Sequence, residues 1–187
     1  MSYKTYLILF TTNDDLIILM KFVDAQDEWK LWNKMEDPVL HILLREWADI
    51  AVIAPLSAHS LAKLSNGLCD DTLSCVIRAW DFGQTPGRGS KPLLVAPAMN
   101  TSMWDHPLTK VQLDTIQSFF FVDDDDDADD NHNNTEKEYG VSKECKFSVA
   151  EPQVKVLACG DTGRGAMCGV DDIVNKARRL LQARKDS

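Results

Sequence analysis

An α/β fold built around a parallel sheet is predicted by three features of this 187-residue chain. Two runs, Ile50-Ala51-Val52-Ile53-Ala54 and Leu93-Leu94-Val95-Ala96, are apolar at every position, and each stops at a proline. A strand buried on both faces has that pattern, whereas a strand with one wet face alternates. Segments of helical period lie between and after these runs, and such alternation places parallel strands in one sheet. A third apolar run, Val154 to Ala158, is read as another short strand.

The elements follow in chain order. Tyr6 to Thr11 and Leu16 to Val23 are β-prone, and the four residues Thr12-Asn13-Asp14-Asp15 between them make a turn. Asp24 to Met35 is polar and reads as loop or short helix. Asp37-Pro38 is a helix start, a capping acid followed by a first-turn proline. Val39, Leu40, Leu43, Leu44 and Trp47 follow at helical spacing. Ser57 caps a further helix that stops at Gly67, and Asp70 to Trp80 is a third helical stretch. Asp81 to Ser90 carries Gly83, Pro86, Gly87 and Gly89 and reads as loop. Pro107 to Phe119 reads as helix. Asp123 to Lys146 is acidic and then Asn-rich, and is expected to be a disordered insertion within 123–150 of a single domain, 1–187. Asp171 to Lys185 closes the chain as an amphipathic helix, acidic first and basic last, in keeping with the helix dipole.

Composition narrows the partners. The formal charge of −9 argues against nucleic-acid binding, which needs a basic face. Seven of those carboxylates sit within Asp123–Asp130, and the remainder of the chain is near −2. Five cysteines at spacings that suit no zinc site, with no secretory signal, point to reduced thiols in the cytoplasm or nucleus. The apolar run Leu16 to Met20 is too short to span a bilayer, so no membrane partner is expected.

Ligands in parallel sheets bind where strand ends lead into helix N-termini. Three loops stand there. Ala54-Pro55-Leu56-Ser57-Ala58-His59-Ser60 offers hydroxyls and backbone N–H groups, and reads either as a plain N-cap or as a site for a phosphate or ring edge. Ala96-Pro97-Ala98-Met99-Asn100 allows close approach, with Asn100 able to donate and accept. Met99, Met103 and Trp104 beside it read as ring cover or as packing. Ala158-Cys159-Gly160-Asp161-Thr162-Gly163-Arg164-Gly165-Ala166-Met167 sets a thiol among three glycines, the pattern of a binding loop. Cys69, Cys75 and Cys168 read as structural. His41 lies on an apolar helical face and reads as a core histidine or a functional one.

Several of these stretches, in this order, resemble the flavoprotein cysteine decarboxylase family. The resemblance is carried by Trp32-Asn33-Lys34, Val39-Leu40-His41-Ile42, Trp47-Ala48-Asp49, Ala54-Pro55-Leu56-Ser57-Ala58, Gly67-Leu68-Cys69-Asp70, Arg78-Ala79-Trp80-Asp81, Pro97-Ala98-Met99-Asn100-Thr101, Met103-Trp104 and Ala158-Cys159-Gly160-Asp161. It implies a flavodoxin-like, Rossmann-like three-layer sandwich that binds FMN between subunits of a trimer. It also implies decarboxylation of the cysteine carboxyl of 4′-phosphopantothenoylcysteine for coenzyme A synthesis. Under it, His41 is the catalytic histidine and Cys159 the proton-donating thiol. Asn100 holds the substrate, with Val156, Ala158 and Met167 in a substrate clamp. Ser57, Ala58, His59, Ser60 and Ala98 line FMN. FMN would take a hydride from the cysteine side chain and later return it, giving the departing carboxylate an electron sink.

The residues before Lys21 do not match the strand and Gly/Ser-rich phosphate loop with which family members usually begin, and the first glycine is Gly67. The expectation is a fold that is N-terminally incomplete, working as a homotrimer or in a mixed trimer with a homologue. Fungal relatives with acidic segments inhibit a type 1 protein phosphatase, so a non-enzymatic regulator is the alternative reading.

Overall fold

A computed structural model of the chain describes residues 5–11, 17–21, 34–120, 146–156 and 162–185. Strands β1 (Tyr6–Phe10), β2 (Ile17–Lys21), β3 (Ile50–Leu56), β4 (Leu93–Pro97) and β5 (Phe147–Val149) form a sheet in the order β2-β1-β3-β4-β5. The apolar runs form β3 and β4 as predicted, and they pair in parallel with Ala51 opposite Leu93. The sheet as a whole is mixed. β1 runs antiparallel to β2, as their short connection requires, and antiparallel also to β3.

Alternating side chains of β3 and β4 feed two cores. Ala51, Ile53, Leu93 and Val95 pack on one face with Leu7, Leu9, Leu61, Val76 and Ile116. Ile50, Val52, Ala54, Leu94 and Ala96 pack on the other with Ile173 and Ala177. Helices α1 (Leu40–Trp47), α2 (Ala58–Asn66), α3 (Thr72–Arg78) and α5 (Pro107–Ser118) cover the first face, and α6 (Val170–Lys185) covers the second. A four-residue helix, α4 (Thr101–Trp104), follows β4. This is the predicted three-layer α/β sandwich.

Local signals set several boundaries. Ser57 caps α2 and Gly67 ends it in the left-handed region at φ 70°, a conformation glycine adopts without strain. Asp71 and Ser74 form a reciprocal capping box at α3, with the Ser74 N–H donating to Asp71 Oδ1 at 2.8 Å. Asp37 does not cap α1: its carboxylate accepts the Lys34 N–H at 3.0 Å, and Val39 occupies the cap position.

Two expectations about strands change. Residues 147–149 lie inside the predicted insertion, yet they form β5, parallel to β4. The Leu93 N–H donates to the Lys146 carbonyl and the Ala150 N–H to the Val95 carbonyl, each at 2.8 Å. The run at Val154 forms β6 (Gln153–Val156), but outside the main sheet, in an antiparallel hairpin with β7 (Thr162–Ala166). Most of the predicted insertion, residues 123–145, and most of the 24–35 segment fall outside the described residues.

The amino end of the sheet anchors α1. The Lys91 ammonium donates to the Arg45 carbonyl at 2.6 Å and the Glu46 carbonyl at 3.3 Å, closing the helix C-terminus, with Asp81 3.7 Å away. Burial pushes the Lys91 pKa down, and Asp81 only partly offsets this. Arg184 of α6 holds Asp49, just beyond α1, at 2.6 Å. These contacts fix the last turn of α1 beside the starts of β3 and β4.

Candidate active site

The segments after β3 and β4 come together with β7 at the carboxyl ends of β3 and β4, and backbone hydrogen bonds fix how. The Ala98 N–H donates to the Leu56 carbonyl at 2.9 Å, joining the loop after β4 to the last residue of β3. The Met99 N–H donates to the Gly165 carbonyl at 3.0 Å, which seats β7 on the same loop. A Cβ on Gly165 would stand 2.0 Å from the Met99 carbonyl oxygen, so the approach requires glycine.

In the first loop the Ser57 hydroxyl accepts the Ser60 N–H at 3.1 Å, the geometry of an N-cap. It also donates to the Ser60 hydroxyl at 3.1 Å. Thr5, the residue before β1, donates to the Ser57 hydroxyl at 3.5 Å and lies 3.1 Å from the Ser60 hydroxyl. Thr5 and Ser60 are buried, Ser57 and Ala58 are half-buried, and His59 is exposed. The Ala58 and His59 N–H groups precede the first i→i−4 bond of α2, from the Leu61 N–H to the Ser57 carbonyl. They therefore lie at the partly positive end of the helix.

Asn100 begins the second loop's helix. Its Oδ1 accepts the Met103 N–H at 2.8 Å, capping α4. That contact assigns the amide orientation and leaves the Nδ2 hydrogens to donate elsewhere. Asn100 is exposed and Ala98 is half-buried. Met99 is 8% exposed and belongs to the first core, so it packs and does not cover a ring. Met103 is 49% exposed. Trp104 carries the Arg164 guanidinium 5.8 Å above its ring, a cation–π contact that ties α4 to β7.

The third loop is described only at its margins. Val156 is the last residue of β6, opposite Thr162. Ala158 and Cys159 lie outside the described residues. Met167 follows β7, packs partly against the second core, and accepts the Gln153 side-chain N–H on its carbonyl at 2.6 Å. His41 is half-buried in the first turn of α1.

Of the cysteines read as structural, Cys168 directly follows Met167, and Cys69 and Cys75 lie beyond the end of α2. Cys168 is buried in the second core, where burial and then Asp172 push its thiol pKa up. Cys69 and Cys75 flank the α3 cap, with Cys75 Sγ 3.7 Å from the Cys69 carbonyl.

The donor set is neutral: hydroxyls, helix-terminal N–H groups and one carboxamide, beside small residues at Ala58 and Ala98. It can grip the polar edge of a planar heterocycle and present a donor to a carboxylate. A profile of the flavoprotein family matches residues 7–182. This chain belongs to the flavoprotein family. It is 46% identical over 158 residues to a phosphopantothenoylcysteine decarboxylase of Arabidopsis thaliana, covering 84% of this chain and 60% of that one. A solved PPC decarboxylase mutant, complexed with pantothenoylaminoethenethiol, is 41% identical with a TM-score of 0.64 over 86% of this chain and 70% of its own. A solved FMN-binding protein, AtHal3, is 41% identical with a TM-score of 0.61 over 86% of this chain and 69% of its own. The chain spans between about half and two thirds of the length of the first curated relatives it matches. The flavodoxin-like architecture implied by the sequence is that of these structures.

Proposed function

We propose that this chain is an FMN-dependent carboxy-lyase that converts 4′-phosphopantothenoylcysteine to 4′-phosphopantetheine in coenzyme A synthesis. The observation that carries the reading is the seating of β7 on the Met99–Asn100 backbone. It brings β7 against the loop that carries Asn100, which is itself bonded to the end of β3 just before Ser57.

The residues fit the cofactor. Ser57 and Ser60 supply hydroxyls, Ala58 and His59 supply helix-terminal N–H groups, and Ala98 leaves room for a ring. Bound FMN would supply reversible hydride transfer, the electron sink that a cysteine carboxylate lacks. The chain's own residues do the rest. Asn100 donates Nδ2–H to the departing carboxylate or the substrate amide. His41, in the first turn of α1, orients substrate or moves a proton. Cys159 provides the thiol proton that completes the product. Val156, Ala158 and Met167 border the substrate and exclude water. A trimer, homomeric or mixed with a homologue, completes the site, and the enzyme works in the cytoplasm.

The reading is tested by purifying the chain, scanning for flavin absorbance and following 4′-phosphopantetheine formation. His41→Asn is expected to abolish turnover with FMN retained, and unchanged turnover would remove His41 from the mechanism. The acidic run Asp123–Asp130 favours a second reading, a regulator that binds a type 1 protein phosphatase. A colourless, inactive chain that inhibits the phosphatase would select it.

A further inference from the structure

The hydroxyls of Thr5, Ser57 and Ser60 form a closed ring. Ser57 donates to Ser60 at 3.1 Å, Ser60 and Thr5 are 3.1 Å apart, and Thr5 donates to Ser57 at 3.5 Å. If Ser60 donates to Thr5, each hydroxyl gives one proton to the next, and the longest edge is the one from Thr5 to Ser57. Ser57 also accepts the Ser60 N–H, so its acceptor capacity is taken on both lone pairs. A ligand carbonyl at this loop therefore has to take the Ser57 proton, which until then serves Ser60.

Ser60 is 7% exposed and Thr5 is 2% exposed. A buried hydroxyl that loses its partner pays the desolvation penalty of an unsatisfied group. Thr5, whose hydroxyl lies 3.1 Å from that of Ser60, can take the Ser60 proton and so offset that penalty when the Ser57 proton turns away. The sequence around Thr5 carries no motif of the site. Antiparallel pairing of β1 with β3, Leu7 opposite Ile53, is what brings the residue before β1 beside the end of β3.

We propose that Thr5 is a positioning residue of the cofactor loop: it keeps the Ser60 hydroxyl satisfied while Ser57 donates to the flavin. The inference rests on the reading of Ser57–Ser60 as an FMN contact and adds a residue from β1's entry to it. Such a residue shows itself in cofactor affinity and in coupling to Ser57, which simple loss of packing does not produce.

The test is FMN binding to the full chain, freed of flavin and titrated by fluorescence quenching well below its melting temperature. Thr5→Val, which keeps the shape and removes the hydroxyl, is expected to weaken FMN about tenfold. Thr5→Ser is expected to stay within about twofold of the unsubstituted chain. In a Ser57→Ala background, Thr5→Val is expected to change affinity less than about twofold, because no proton is left to redirect. Thr5→Ala serves if valine disturbs the fold. Equal affinity for Thr5→Val and the unsubstituted chain would overturn the role of Thr5 alone. So would an undiminished effect in the Ser57→Ala background. Failure of the unsubstituted chain to bind FMN would overturn the reading of the site, and this inference with it.

Discussion

Asn100→Asp retains one contact of this side chain and removes the other. The Oδ1 that accepts the Met103 N–H at 2.8 Å has an equivalent in aspartate, which is as good an N-cap as asparagine. Helix α4 should keep its start, and melting should shift by no more than a degree or so. Asn100→Ala, by contrast, loses the cap and about 1 kcal/mol of stability. What Asn100→Asp removes is the Nδ2 donor. A hydrogen bond from it to a substrate carboxylate is of the charge-assisted kind, worth roughly 1.5–3 kcal/mol. At 1.4 kcal/mol per factor of ten, its loss lowers kcat/KM about 10- to 100-fold. The new negative charge facing the carboxylate adds to that loss. Steady-state kinetics with phosphopantothenoylcysteine, run beside thermal melts of the wild type, Asn100→Asp and Asn100→Ala, makes the measurement. A kcat/KM for Asn100→Asp within twofold of wild type, at unchanged melting temperature, would refute the assignment of Asn100 to the substrate.

Gly165→Ala places a methyl 2.0 Å from the Met99 carbonyl oxygen, so the hairpin must lift from the loop. A loss of ~2 kcal/mol in stability and a matching fall in activity are expected, and an unchanged melt would show that the seating is not tight. Burial alone would raise the Asp71 pKa, but hydrogen bonds from Lys63 and from Ser74 outweigh it and hold the carboxyl below its ordinary value of 3.8. Its ionised form therefore stabilises the fold at neutral pH, and this contribution is lost as pH falls through the folded-state pKa. The melting temperature of Asp71→Asn should lie below wild type at pH 7, and the gap should narrow as pH drops below about 4. A gap that widens in acid would contradict the depressed carboxyl.

Much of the frame was legible because its signals are local. The apolar runs of β3 and β4, the Ser57 cap and the Gly67 stop each depend on a few adjacent residues, and each appears where the pattern put it. What failed depends on pairing at a distance. Phe147–Val149 is three residues long and borders a polar tract, so nothing local marks it as a strand until Leu93 and Val95 supply its hydrogen bonds. Thr162–Ala166 carries two glycines and little β propensity, and becomes a strand because it pairs with β6 and lies against Met99. Once β7 is in place, β6 belongs to its hairpin and not to the main sheet. Asp37 has the right chemistry for a cap, but its carboxylate is drawn to the Lys34 N–H three residues back. Within the candidate site, Ser57, Ser60, Ala98 and Asn100 were visible as residues with unusual loops. Thr5 was not, since only the antiparallel entry of β1 carries it there.

The most direct measurement is release of labelled carbon dioxide from carboxyl-labelled phosphopantothenoylcysteine by the purified chain supplied with FMN. Turnover that requires FMN, yields one 4′-phosphopantetheine per carbon dioxide and falls at least tenfold with Asn100→Asp is the predicted result. A chain that binds FMN and the substrate yet releases no label would contradict the central claim that these three loops form a decarboxylating site.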